Sequence, residues 1–162
     1  MSKNEVLALS PSDQFVGIPE LIKKHSEQVD LFHTWSNARA WEKFHTNHFD
    51  WWAFPINRPS KHGFKYTVGE PEVAQLKANP DFMAKHRLGA QLLLLSWGWE
   101  WQTHQPVPDP DPDQAWAHWP IRLEKCTLSM ELFGHLKLLE SCQLFMRHLS
   151  LLREGDKLLS DS

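Results

Sequence analysis

Apolar residues recur with helical spacing along most of the chain. The clearest case runs from Asn79 to Trp101, NPDFMAKHRLGAQLLLLSWGWEW. Asn79 suits an N-cap, Pro80 the first helical position, and Asp81 the positive end of the helix dipole. Phe82, Met83, Ala90, Leu93, Leu94 and Trp97 recur at spacings of three and four, and Leu92 and Leu95 widen the stripe. A helix apolar on nearly every side is surrounded by other elements, so this segment is expected at the centre of the fold. Gly98 supplies a stop signal. Lys85, His86 and Arg87 interrupt the apolar run, which is too short to span a membrane.

The remaining pattern predicts helices on both sides of that centre. A first helix begins near Ile18–Pro19 and buries Leu21, Ile22, Val29, Phe32 and Trp35, with a break at Ser36–Asn37. A second, Ala38 to about His48, turns Trp41 and Phe44 inward. Then comes HTNHFDWWAFPINRPSKHG, where Phe49, Trp51, Trp52, Phe54 and Ile56 are too apolar for a free loop. Pro55 and Pro59 stop a helix beyond Ala53. This segment is expected to be an irregular, buried crossover, with Trp52 and Phe54 inside and Trp51 pointing elsewhere. His48 is expected to satisfy backbone groups freed at the helix end. Phe64, Tyr66 and Val68 alternate with polar residues, as in a short extended piece. Thr67 to Glu70, Thr-Val-Gly-Glu, has the form of a capping box for a short helix through Lys77.

Beyond the central helix lies PVPDPDPD. Residues 105–114 are expected to form a stiff, solvated connector, whose length matters little to stability, with Trp116 and Trp119 pinning its far end. From Cys126 to about Arg153 the leucine spacing returns, and Ser141 is a candidate N-cap between two helices. Residues 1–17 read as a loose lead-in, from which Val6, Leu7 and Leu9 can dock on the body, and 155–162 as a frayed polar tail. The fold expected is all-α: an irregular bundle of about five to six helices in one domain, 18–154, with an aromatic-rich crossover.

Composition narrows the function classes. The chain has 162 residues and a net charge of −3, which argues against general nucleic-acid binding. Cys126 and Cys142 lack the spacing of a disulfide framework or a metal knuckle. With neither a secretory signal nor a membrane span, a cytoplasmic location is expected. Nine tryptophans against one tyrosine point to an aromatic-rich core or an aromatic-lined surface.

The order of these signals resembles the conserved domain shared by the opioid growth factor receptor and its bacterial relatives. The similarity covers roughly 30–150 and is strongest over the His48, Trp52, Phe54 and Pro55 block. Thr67, Glu70, Glu72, Leu94, Leu95, Trp97 and Gly98 are similar to the family's later helices. Trp119 and Arg122 look like the beginning of its closing helix, with Leu132, Leu136 and Leu138 at its apolar positions. That helix is basic in the family and here carries Leu128, Met130 and Glu131 instead. The resemblance implies an all-helical fold. Opioid-peptide binding belongs to the animal members and is not carried over.

Ten histidines raise a metal alternative. Glu42 and His45 are three apart on one helical face, and His48 and Asp50 follow closely, so the four form a candidate set for a transition metal. Ser96 lacks a nucleophile-elbow context, no glycine-rich phosphate loop is present, and the Asp109–Asp113 carboxylates sit on a connector. No cofactor is expected. The preferred reading is a non-enzymatic interaction module or accessory subunit, with another protein as partner. Its Trp-rich surface would draw on Trp51, Trp99, Trp101, Trp116 and Trp119. The alternative is a His-based metal- or small-ligand-binding protein or enzyme.

Overall fold

A computed structural model describes residues 14–61, 63–116 and 120–161, with side chains up to 152. Docking of Val6, Leu7 and Leu9, and the placement of Trp119, lie outside the described residues. The elements in order are α1 (Ile18–Asn37), α2 (Glu42–Thr46), α3 (Asp50–Ala53), α4 (Glu70–Lys77), α5 (Pro80–Ser96), β1 (Trp99–Glu100), β2 (Gln105–Pro106), α6 (Pro120–Leu132) and α7 (Leu136–Asp161). The fold is all-α in character. Among the described residues there are seven helices, one more than the upper expectation, because the crossover contains the short α3. The two strands are a minimal antiparallel hairpin pairing Trp99 with Pro106 and Glu100 with Gln105.

Helix α5 is the centre, as its sequence requires. Asn79 caps it by accepting from the Phe82 N–H at 3.0 Å. Leu93 and Leu94 are wholly buried, and α5 packs on α1, α2, α4, α6, α7 and β1. Burying each such leucine contributes about 1.5–3 kcal/mol. Gly98 ends the helix at φ +74, and a Cβ there would stand 2.9 Å from the Gln114 carbonyl oxygen. Two groups of side chains pack against this helix. The larger gathers Phe32, Trp35, Phe44, Phe49, Phe54 and Leu93, and the smaller gathers Leu21, Tyr66, Val68, Leu76, Phe82 and Phe133. Among the described residues no helix is long and apolar enough to cross a membrane.

Four local expectations change. Helix α4 starts at Gly69 without a side-chain cap, because the Thr67 hydroxyl donates to the Arg58 carbonyl at 3.1 Å. The break in the C-terminal helical region falls at Phe133–His135, where Gly134 takes φ +76, and not at Ser141. Ser141 lies inside α7, where its buried hydroxyl accepts from the Trp99 indole and donates to the Trp101 carbonyl. The connector is exposed over most of its length yet anchored at its end. Asp111 accepts from Arg39 at 2.7 Å and from the Trp41 indole at 2.8 Å. Gln114 is buried and donates to the Leu95 carbonyl at 2.9 Å. The final helix continues to Asp161, past the point where a frayed tail was expected.

Candidate functional site

The crossover is held from within by a charge. Arg122, on α6, is fully buried. Its Nε donates to the Asp50 carboxylate, one terminal nitrogen donates to the Phe44 carbonyl, and the other donates to the Asn47 carbonyl at 2.7 Å. The guanidinium also lies 4.0 Å from the centre of the Phe49 ring. Burial pulls its pKa down and Asp50 draws it back up. Its donors occupy carbonyls that the end of α2 leaves without helical partners. That task was expected of His48, which is exposed.

The metal set does not assemble. Asp50 is committed to Arg122, Glu42 and His48 face solvent, and His45 lies over the end of α5. His45 Nε2 is 3.3 Å from the Ser96 carbonyl, and its ring stacks on Trp97. Among the described residues no three His, Cys, Asp or Glu side chains are grouped as a metal ion would need.

The histidines that do meet are others. The Ser129 hydroxyl donates to the Pro55 carbonyl at 2.8 Å, so its lone pair faces His86 Nε2 at 2.8 Å. His86 therefore carries its proton on Nε2, and its Nδ1 accepts from His135 Nε2 at 2.9 Å. The chain ends on a carbonyl, which can only accept, and this sets every proton in it. Burial, then His25, His135 and Arg87, hold the His86 pKa well below its ordinary value. Burial, then Lys85, brings His25 down to about 3, against a hydrogen bond to the Ala53 backbone that raises it. Burial, then Arg87 and Lys77, brings His135 down to about 4. These rings are neutral braces at neutral pH. Ser129, Cys126 and Cys142 are fully buried, and burial pushes the Cys126 thiol well up.

Of the five tryptophans of the expected surface, the four that are described do not share one groove. Trp99 is buried against Phe145 and His148 on α7, because the chain bends back at Gly98 and its N–H finds Ser141. Trp116 is half-buried on Trp97 and Phe145. Trp97, Trp99 and Trp116 do line one cavity of about 180 Å3 beside the connector. Trp101 is half-buried in a different cleft, beside His135. Trp51 lies at the other end of the sequence pattern, on the crossover, half-buried and 5.8 Å from the Trp52 ring. Lysines cover this pair: Lys24 Nζ is 4.3 Å from the Trp52 ring centre, and Lys61 and Lys125 are 4.8 and 5.3 Å from that of Trp51.

The polar residues that sequence reasoning missed share one signal. His25 follows Leu21 by four, His86 lies midway between Phe82 and Ala90, and Arg122 precedes Cys126 by four. Each is a polar residue on an apolar stripe, which must find a buried partner. No family model, no curated protein and no solved structure matches the chain.

Proposed function

We propose that this protein is a non-enzymatic interaction module that docks an acidic segment of a partner protein on the Trp51–Trp52 face. The observation carrying this reading is the lysine cover. Lys24, Lys61 and Lys125 stand over the two indoles, and Lys65 lies 5.5 Å from the Tyr66 ring centre. None of the four forms a salt bridge among the described residues. The chain as a whole is net negative, so this basic face is local. Lysines held over aromatic rings present fixed positive charge above a surface of the type enriched in protein interfaces. Membership of the opioid growth factor receptor-like domain is part of this proposal, carried by the His48–Pro55 block. Two free, buried cysteines support a reducing, cytoplasmic setting.

The test titrates full-length protein with three probes: a Glu/Asp-rich peptide containing one aromatic residue, its Gln/Asn analogue, and a single-stranded oligonucleotide of equal charge. The acidic peptide should bind at least tenfold more tightly than the other two. A Lys61→Glu, Lys125→Glu double variant should lose that binding while keeping its denaturation midpoint. Equal binding of the neutral analogue, or indifference to the double variant, rejects the docking face. Tighter binding of the oligonucleotide replaces the protein partner with a nucleic acid.

A further inference from the structure

We propose that the cleft between Trp101 and His135 binds a small organic carboxylate with a flat apolar body. The cleft lies apart from the Trp51–Trp52 face and shares no lining residue with it. Arg87 and Gln91 enter from α5, Trp101 from the turn after β1, and His135, Leu136 and Leu138 from the start of α7. Its volume is about 260 Å3. That lies just under the range of roughly 300–1,000 Å3 usual for drug-sized ligands, so a smaller molecule fits.

The walls supply both halves of such a ligand's chemistry. Trp101 is half-buried, and Leu136 is 71% exposed, the most exposed of the large apolar side chains described. Over the buried Leu138 these two leave apolar surface open to water at one spot, which a flat ring would cover. The polar side is cationic. Arg87 and Lys137 both line the cleft and are exposed, and Lys77 Nζ would stand 3.7 Å from a Cβ built on the adjoining Gly134. None of the three forms a salt bridge among the described residues. No acidic side chain lines the cleft, and none stands in the first turn of α7. Positive charge is therefore left uncompensated beside apolar walls, and Arg87 offers a planar fork suited to a carboxylate.

His135 fixes the back of the cleft. Its Nε2 is committed to His86, and that bond is tied through Ser129 to the Pro55 carbonyl. With its proton on Nε2, its Nδ1 holds only a lone pair, so the ring serves as a fixed wall and leaves the carboxylate to the cations. The ring is thus pre-positioned by three buried hydrogen bonds, which lowers the ordering cost of binding.

The experiment uses the full chain and three probes: 2-naphthoate, the neutral 2-naphthamide and inorganic phosphate. Binding is read by calorimetry and by the indole N–H resonance of Trp101, which is assigned by its loss in Trp101→Leu. Saturable one-site binding of 2-naphthoate that shifts this resonance is expected. The amide should bind at least tenfold more weakly, and Arg87→Gln should weaken 2-naphthoate by about tenfold. The Lys61→Glu, Lys125→Glu variant should leave this binding unchanged, which separates its fate from that of the docking face. Equal binding of the amide would show an apolar patch alone, and equal binding of phosphate a bare anion site; either overturns the proposal. So does a lack of saturation at millimolar 2-naphthoate, or an Arg87→Gln variant that binds as the wild type does.

Discussion

Two stretches of this protein are largely irregular and punctuated by prolines: the crossover, 47–61, and the connector, 105–114. They solve the same problem in opposite ways. A backbone outside helices and sheets still has donors and acceptors to satisfy. The crossover is largely buried over 49–56, so carbonyls there and at the end of α2 are met by side chains reaching out of helices. Arg122 takes those of Phe44 and Asn47, Ser129 takes that of Pro55, and His25 bonds the Ala53 backbone. The connector is mostly exposed, so water can serve its backbone, and Asp111 and Gln114 hold it near its end. Irregular structure inside the protein is specified by polar residues elsewhere in the chain. Irregular structure outside needs only attachment points.

The largest test of this contrast is Arg122→Met. It leaves the Asp50 carboxylate buried without its cation and strands the carbonyls of Phe44 and Asn47. Removing one partner of a buried ion pair typically costs about 3–5 kcal/mol, so the urea midpoint should fall steeply. His48→Ala should move it by less than about 1 kcal/mol, since His48 is exposed and Arg122 meets those carbonyls. A His48 effect equal to that of Arg122 would restore His48 as the holder of the crossover.

Acid should act next, and on the same region. His25 is held at about 3 and His86 well below 6.5 in the folded protein. Between pH 6.5 and those values, the unfolded chain binds protons that the native chain excludes. Stability is therefore complete above pH 6.5 and falls as the pH drops towards the native values. His25 alone removes about 1.4 kcal/mol per pH unit once well below 6.5, or roughly 2 kcal/mol between pH 7 and pH 5, and His86 and His135 add to the loss in the same direction. Urea melts across that range measure it, and His25→Leu should remove that residue's share of the slope. A flat profile would mean that these rings are protonated in place.

Smaller effects are expected at the connector. Gly98→Ala forces a left-handed residue to carry a Cβ against the Gln114 carbonyl and should cost about 1–3 kcal/mol. The same variant should speed proteolysis within 105–113, because its anchor is displaced. The smallest shift should come from Asp111→Ala, whose pair with Arg39 salt screens and whose bond to the Trp41 indole is only part-buried. A loss there as large as that of Arg122→Met would make the connector a core element and erase the contrast.

Much of this frame was legible residue by residue. The Asn79 cap, the Leu93–Leu94 centre, the Gly98 stop and the start of α1 at Ile18 are local signals, and each appears where the pattern put it. The capping box at Thr67 misled because its hydroxyl had a competing acceptor, the Arg58 carbonyl, which only the folded crossover brings near. Ser141 misled similarly: a serine reads as a cap in sequence, but here it joins two tryptophan residues of the hairpin to α7. The nearby Gly134 was the better stop signal, and it was present in the chain. Of the candidate tryptophans, Trp51, Trp101 and Trp116 were left partly accessible by the fold. Trp99 was not, and alternation beyond Gly98 cannot say which way the chain turns.

Periodicity, capping residues and proline positions depend on neighbours a few residues away, so the chain alone determined the helical class, the central helix and the buried aromatic crossover. Which polar groups meet inside was decided by the tertiary structure. Arg122 and Asp50 lie 72 positions apart, and His86 and His135 lie 49 apart. No local pattern encodes such pairings; they arise when packing on α5 excludes water and each buried polar group must take whatever partner the neighbouring helix supplies. The same folding separated Trp51, Trp101 and Trp116, so tertiary packing also decided that the partly accessible tryptophans would stand in different places and not one.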